Sequence, residues 1–330
     1  MNKATIMDNI DSLLEKGNVL YEKGLYNEAI KSFYEVIELA PNNYSAWNNK
    51  GNALSKKKLY YKAIESYNEA IKIEPNNYLA WYNKGIALSK KYLYDEAIEC
   101  YNEAIKLNPN NPAIWYEKGF LFHKNGMYDE QIKCYDEIIK LNPNDYIAWY
   151  NKGCILINLE LHDEAIVCYD EVLKLNPNCS DTWRIKGDIL YFKNLHDEAI
   201  ICFEEVIKLN RNDSVNWINK AIVLSNNRLY DEAIKYLDKA IELNPKDCEA
   251  WSCKGFVLYE KELDDEAIEC CNEAIRLNPN IVDAWDIKGR MLSIKGTLDE
   301  AKKCFQMAEL LFEKREIGCF NGIRVTHRGL

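Results

Sequence analysis

The chain holds no apolar run near the ~20 residues that a membrane-spanning helix requires. Residues 1–9 also lack the apolar core of a secretory signal. Basic charge is scarce relative to acidic: the formal net charge is −10, the wrong sign for a protein that neutralises a phosphate backbone. Twelve cysteines are present, yet no two stand as Cys-x-x-Cys, and the four histidines form no pair at metal-ligand spacing. There is no glycine-rich phosphate loop, no nucleophile elbow and no catalytic carboxylate pair. These absences argue against an enzyme, a resident metal or a cofactor, and against a secreted disulfide scaffold. Reduced thiols in a cytoplasmic protein are expected instead.

What the chain does have is a period. All eight tryptophans, from Trp47 to Trp285, lie 34 residues apart without one insertion. Such a period marks a stack of supersecondary units that bury their apolar faces against one another. Within residues 44–77, apolar positions recur at helical spacing over about 45–57 and 61–73, with a short link near Leu59. Gly51 and Ala63 are small where two antiparallel helices cross, which lets the backbones approach. Pro75 stops the second helix, and Asn76 and Asn77 supply turn chemistry.

The same columns continue in register. Glycine recurs from Gly17 to Gly289 with Ala221 as the exception, and alanine from Ala29 to Ala301 with Gln131 as the exception. An aromatic follows the alanine by four, as at Tyr67, Tyr101 and Phe203, but Leu237 and Cys271 replace it in two copies. Cys100, Cys134, Cys168, Cys202, Cys270 and Cys304 share one column, where Ser32 and Ser66 stand earlier; a small half-buried slot explains them. Equivalent residues one repeat apart lie beyond disulfide reach. His162 and His196 replace the tyrosine of the inter-helix link and need no chemical role. A lysine precedes each glycine position from Lys16 to Lys288. Glutamates of the second helix, such as Glu69, Glu103 and Glu171, are its expected inter-helix partners.

Trp, Gly four later, Ala twelve after that, then an aromatic and a closing Pro: this pattern resembles the tetratricopeptide repeat. The resemblance implies an all-α, right-handed superhelical solenoid of helix-turn-helix repeats. Its nine expected copies are 10–43, 44–77, 78–111, 112–145, 146–179, 180–213, 214–247, 248–281 and 282–315. An N-terminal extension (1–9) and an irregular tail (316–330) flank them. Lys, where the family often has Leu before the Gly, is one departure, and Leu54, Leu88 and Leu156 where Tyr is frequent are another.

In that family the first helix of each repeat lines a concave groove that binds an extended peptide or a helix of a partner. The resemblance therefore implies an interaction scaffold. Carried onto this chain, the groove falls on Asn49, Asn52, Lys56, Tyr82, Asn83, Lys90, Tyr116, Lys124, Tyr150 and Asn151. An asparagine offers both a donor and an acceptor, so a ladder of them suits a peptide backbone of any sequence. The family's carboxylate clamp for chaperone C-termini is not expected. Asn18 with Asn49, or Asn52 with Asn83, fits its amide places, but Leu14, Asn48, Leu79 and Ala113 stand where cations are needed. RNA binding by a helical repeat is the alternative reading, disfavoured by the charge; Arg324, His327 and Arg328 are the only further basic cluster. Leu13 replaces the tryptophan of the first repeat. At the other end Phe305, Ala308, Leu311 and Phe312 are expected to be uncovered, so that self-association or docking of residues 317–330 is anticipated.

Overall fold

A computed structural model describes the backbone of residues 3–318 and the side chains of residues 7–313. Its regular structure is α-helix throughout the described residues. Two compact units divide the chain, Met1–Cys168 and Tyr169–Leu330. The first contains α1 (Lys3–Glu22), α2 (Tyr26–Leu39), α3 (Tyr44–Lys56), α4 (Tyr60–Ile73), α5 (Tyr78–Ser89), α6 (Tyr94–Leu107), α7 (Pro112–Lys124), α8 (Tyr128–Leu141) and α9 (Tyr146–Asn158). The boundary falls within α10 (His162–Leu175). The second contains α11 (Ser180–Phe192), α12 (His196–Leu209), α13 (Ser214–Asn226), α14 (Tyr230–Leu243), α15 (Cys248–Glu260), α16 (Asp264–Leu277), α17 (Val282–Ile294) and α18 (Leu298–Gly318). Within each unit odd and even helices form hairpins, and each hairpin packs on the next in chain order. This is an all-α helical-repeat solenoid.

The ends of the helices follow from side-chain chemistry. Asn43 Oδ1 accepts the Ala46 N–H at 2.9 Å, and Asn77, Asn111, Asp145, Asp213 and Asp247 cap their helices in the same way. Each first helix ends in a left-handed residue: Gly24, Gly126 and Gly296, but also Lys58, Tyr92, Glu160, Asn194, Arg228 and Glu262. The residue after it folds back, as where Leu59 N–H donates to the Leu54 carbonyl at 3.0 Å, which closes a Schellman turn.

The tryptophans are staples for the opposite turn. Every one donates its indole N–H to the backbone carbonyl six residues earlier, from Trp47 to Pro41 (2.9 Å) through Trp285 to Pro279 (3.0 Å). Trp217 uses Arg211, so the bond does not depend on proline. These indoles are half-buried, and with the N–H satisfied the covered part of the ring contributes its apolar area at no polar cost.

Gly17, Gly51, Gly85, Gly187 and Gly289 make room for the aromatic column, whereas Gly119 and Gly255 lie against Cys134 and Cys271. A Cβ added to Gly51 would sit 2.5 Å from the Tyr67 ring, and one on Gly85 as close to Tyr101. Both tyrosines are buried. The cysteine column is buried too, and burial pushes its thiols up, Cys100, Cys202 and Cys270 to about 11 and Cys134 to about 12. Cys271, in the aromatic column, is likewise held near 12. The described cysteines are free thiols.

The lysine column differs from expectation. Lys152, Lys186, Lys220 and Lys254 pair with Asp136, Asp170, Glu204 and Asp238 at 2.5–2.6 Å, one position before the expected glutamate column, which holds Glu137, Glu171 and Glu205 in the first three cases and Lys239 in the fourth. Those glutamates instead pair within their own helix, Glu69 with Lys72, Glu103 with Lys106 and Glu171 with Lys174. The reason is helical phase: the next residue round turns out toward solvent, where only a neighbour three residues on reaches it. The lysine stems lie beside the tryptophans, with Nζ 4.6 Å from the Trp47 ring centre for Lys50 and 5.3 Å from that of Trp115 for Lys118.

The chain ends also depart from expectation. Helix α1 starts at Lys3, and α18 runs on to Gly318. Ala308 and Leu311 are buried rather than uncovered, because they turn inward on the face shared with Ala301 and Cys304. Phe305 and Phe312 are exposed as expected, with Met307 and Leu310 beside them. The basic cluster at Arg324, His327 and Arg328, and the docking of residues 319–330, lie outside the described residues.

Candidate docking face

The first helices of successive hairpins touch directly in the first unit, α1 against α3, α3 against α5 and α5 against α7. Residues on their shared side therefore form one continuous strip. Within α3, Asn49, Asn52 and Lys56 follow at i, i+3 and i+7 and so share a face.

The amides of this face are already organised. Asn49 Nδ2 donates to Asn18 Oδ1 at 2.9 Å, Asn48 Nδ2 to Asn49 Oδ1 at 3.3 Å, and Asn83 Nδ2 to Asn48 Oδ1 at 3.1 Å. The result is a chain Asn18–Asn49–Asn48–Asn83 running across three repeats. Each amide nitrogen carries two hydrogens, so a donor remains on Asn49 and Asn83 after these bonds. Asn52 Oδ1 accepts the Tyr67 hydroxyl of the same hairpin at 2.9 Å. Asn151, on α9, is half-buried.

Tyr82 and Tyr116, of the next column, stand half-buried on the same strip. Tyr82 packs against Tyr101, ring centres 6.1 Å apart, and Tyr116 against Tyr135 at 5.9 Å, edge to face. Burial raises the hydroxyl pKa of both; Glu117 adds to this at Tyr82, and Asp145 at Tyr116. Tyr150 is half-buried as well. Lys56, Lys90 and Lys124 are exposed at the ends of α3, α5 and α7 and make no salt bridge among the described residues. Lys124 lies over the Phe120 ring at 5.3 Å.

Three further residues take part. Asn18 and Asn48 connect the amide ladder, and the only signal for Asn48 is its place beside Asn49. Glu117 occupies the asparagine column of the fourth repeat. Burial raises its carboxyl pKa, and nearby Lys90 pulls it back. No group of three or more metal-ligating side chains occurs among the described residues. No described helix is long and apolar enough to cross a membrane.

Comparison with known families matches the TPR repeat at 17–58 and 94–126. Tetratricopeptide-repeat matches follow at 44–77, 66–99, 112–145, 146–179, 181–213, 216–247 and 248–281. The chain belongs to the tetratricopeptide-repeat family. Among solved structures, the C-terminal part of a TPR repeat-containing protein from Cytophaga hutchinsonii is similar, with a TM-score of 0.59 at 18% identity, over 72% of this chain and 97% of that one. The Naa15/Naa10 structure bound to HypK-THB gives a TM-score of 0.53 at 16% identity, over 92% of this chain and 63% of that one. MamA shares 27% identity over 50% of this chain and 96% of its own, with a TM-score of 0.45. The first two likenesses show the fold alone. Comparison with curated proteins finds no match.

Proposed function

We propose that this tetratricopeptide-repeat protein is a non-catalytic interaction scaffold of the cytoplasm, and that the strip on α3, α5, α7 and α9 docks a segment of a partner protein. Family membership supports the general role, since repeats of this kind serve protein–protein interaction. The observation that carries the location is the linked amide chain Asn18–Asn49–Asn48–Asn83, flanked by half-buried tyrosines and by exposed lysines that make no salt bridge among the described residues. Its hydrogen-bond donors are held in place before a ligand arrives, which lowers the ordering cost of binding. Thiols held as neutral, buried groups fit structural roles and a reducing compartment.

Alanine at Asn49, Asn83 and Asn151 together tests the strip. Crosslinking with mass spectrometry in host extract identifies partners of the parent chain, and the triple variant is expected to lose them while its circular dichroism and urea midpoint stay close to the parent's. Undiminished recovery of the same partners by the variant removes the strip from the function.

A further inference from the structure

The second unit shows what is special about the first. In the tyrosine column it carries Arg184, Ile218, Ser252 and Asp286 where the first has Tyr82, Tyr116 and Tyr150. In the lysine column it carries Phe192, Asn226, Glu260 and Ile294 where the first has Lys56, Lys90 and Lys124. The tyrosines of the one column thus stand on α5, α7 and α9 and the lysines of the other on α3, α5 and α7, with Asn48 and Asn158 completing the two columns in this unit. Most other lysines of these helices are engaged at the tryptophans: Lys50, Lys84, Lys118 and Lys152 sit within 6 Å of the indole centres. Lys56 and Lys90 have no such partner, and neither they nor Lys124 meet a carboxylate at ion-pair distance among the described residues.

The geometry sets a pitch. Packed helices lie about 8–10 Å apart, and α3, α5 and α7 touch in succession, so the cations repeat at roughly that interval. A polyproline II chain rises about 3.1 Å per residue with three residues per turn, which brings every third side chain to one side at about 9 Å. Aromatic-lined grooves are also the surfaces on which such chains dock, because their form is set before binding. We infer that the strip takes an acidic, proline-rich segment of a partner in polyproline II form, with a carboxylate at every third residue set against Lys56, Lys90 and Lys124. The inference rests on the docking strip proposed above and adds the chemistry of what it holds. Glu117 is the exception in the strip: its carboxylate partly neutralises Lys90 and stands near the incoming acid.

The test measures fluorescence anisotropy of a labelled peptide of about twelve residues, repeating Pro-Pro-Glu, against the full chain. A neutral Pro-Pro-Gln peptide and a helix-forming peptide of equal negative charge are the comparators. Binding of the acidic proline peptide is expected to exceed both and to fall with salt. Lys56→Gln, Lys90→Gln and Lys124→Gln combined should weaken it about tenfold, three exposed ion pairs' worth, and flatten the salt dependence. Glu117→Gln should tighten it about twofold. Equal binding of the neutral peptide, lost in the asparagine triple variant but not in the lysine triple, overturns the acidic chemistry and keeps the strip. Preference for the helical peptide overturns the extended form. Displacement of the peptide by oligouridylate at lower concentration overturns a protein ligand in favour of RNA. Binding that neither triple variant changes, or no binding by any of the peptides, overturns the inference; in the first case the strip falls with it.

Discussion

The α3/α4 hairpin and the α13/α14 hairpin meet the same packing demand in opposite ways. In the first, Gly51 leaves room for Tyr67, and a small Ser66 stands beside the tyrosine. In the second, Ala221 faces a hairpin whose aromatic position holds Leu237, while Tyr236 fills the small slot. The ring has moved by one residue. It now stacks on Trp217, centres 5.5 Å apart, and closes over Lys220, whose Nζ lies 4.2 Å from its centre. Lys220 is consequently only 2% exposed, and it bonds both Glu204 and the Tyr236 hydroxyl at 2.6 Å. Repeat columns are therefore coupled. Gly with an aromatic is one solution; Ala with Leu and a displaced ring is another.

The strongest way to break this comparison is a methyl group. Gly51→Ala is expected to cost about 2 kcal/mol, because the added carbon overlaps the Tyr67 ring. The reverse change, Ala221→Gly, should cost only about 1 kcal/mol, the helix-propensity difference. Adding Tyr67→Leu to Gly51→Ala should recover part of the loss by recreating the second solution. Urea denaturation reads all three. Equal losses for the two single variants would show that the columns are not coupled.

Next in size is the buried lysine. Glu204→Ala leaves Lys220 with the Tyr236 hydroxyl alone, and a loss of about 1.5 kcal/mol is expected. Asp238→Ala removes the equivalent partner of Lys254, whose side chain is 22% exposed; water replaces the bond, and the loss should stay below about 0.5 kcal/mol. A common value for both would mean that the displaced ring does not isolate Lys220.

A smaller contrast lies between neighbours. Tyr67 gives its hydroxyl to Asn52, whereas Tyr101 has Ile86 at the corresponding place and its buried hydroxyl lacks a partner. Tyr67→Phe should cost about 1 kcal/mol, and Tyr101→Phe should cost nothing or stabilise, since an unpaired polar atom leaves the core. Thermal midpoints of the two variants decide it.

These contrasts also show what the sequence discloses. Helix count, hairpin order and the core columns were legible because a 34-residue period repeats each signal many times. The indole bond was not, since its acceptor is a backbone carbonyl and any residue supplies one, as Arg211 does. The left-handed turn was half-hidden: Gly24, Gly126 and Gly296 mark it, but Lys58, Tyr92 and four others adopt it without the signature. The lysine partners were misassigned by one residue because period alone does not fix helical phase. At the docking strip the amides and tyrosines were readable as columns, while the cross-links through Asn18 and Asn48 join residues of different columns and appear only in three dimensions. The turn offers its own test. Lys58→Gly should stabilise by about 0.5 kcal/mol by relieving a left-handed side chain, and Gly24→Ala should cost about 1 kcal/mol at the same position.

The smallest expected effect compares Asn83 with Glu117, which occupy one column in successive repeats. Burial raises the Glu117 carboxyl pKa, so the folded chain holds that proton more tightly than the unfolded chain does. Its contribution to stability is then fully present below the ordinary carboxyl range and is lost as pH rises through the folded value. Glu117→Gln, neutral at every pH, should therefore be slightly more stable than the parent at pH 7, and the advantage should vanish in acid. Lys90 opposes the shift, which keeps the gain small and makes it grow when Lys90→Gln removes the compensating charge. Paired urea titrations across the acid range read the crossover. A constant difference at all pH values would assign the effect to packing, and Glu117 would then be no more than an asparagine of the wrong shape.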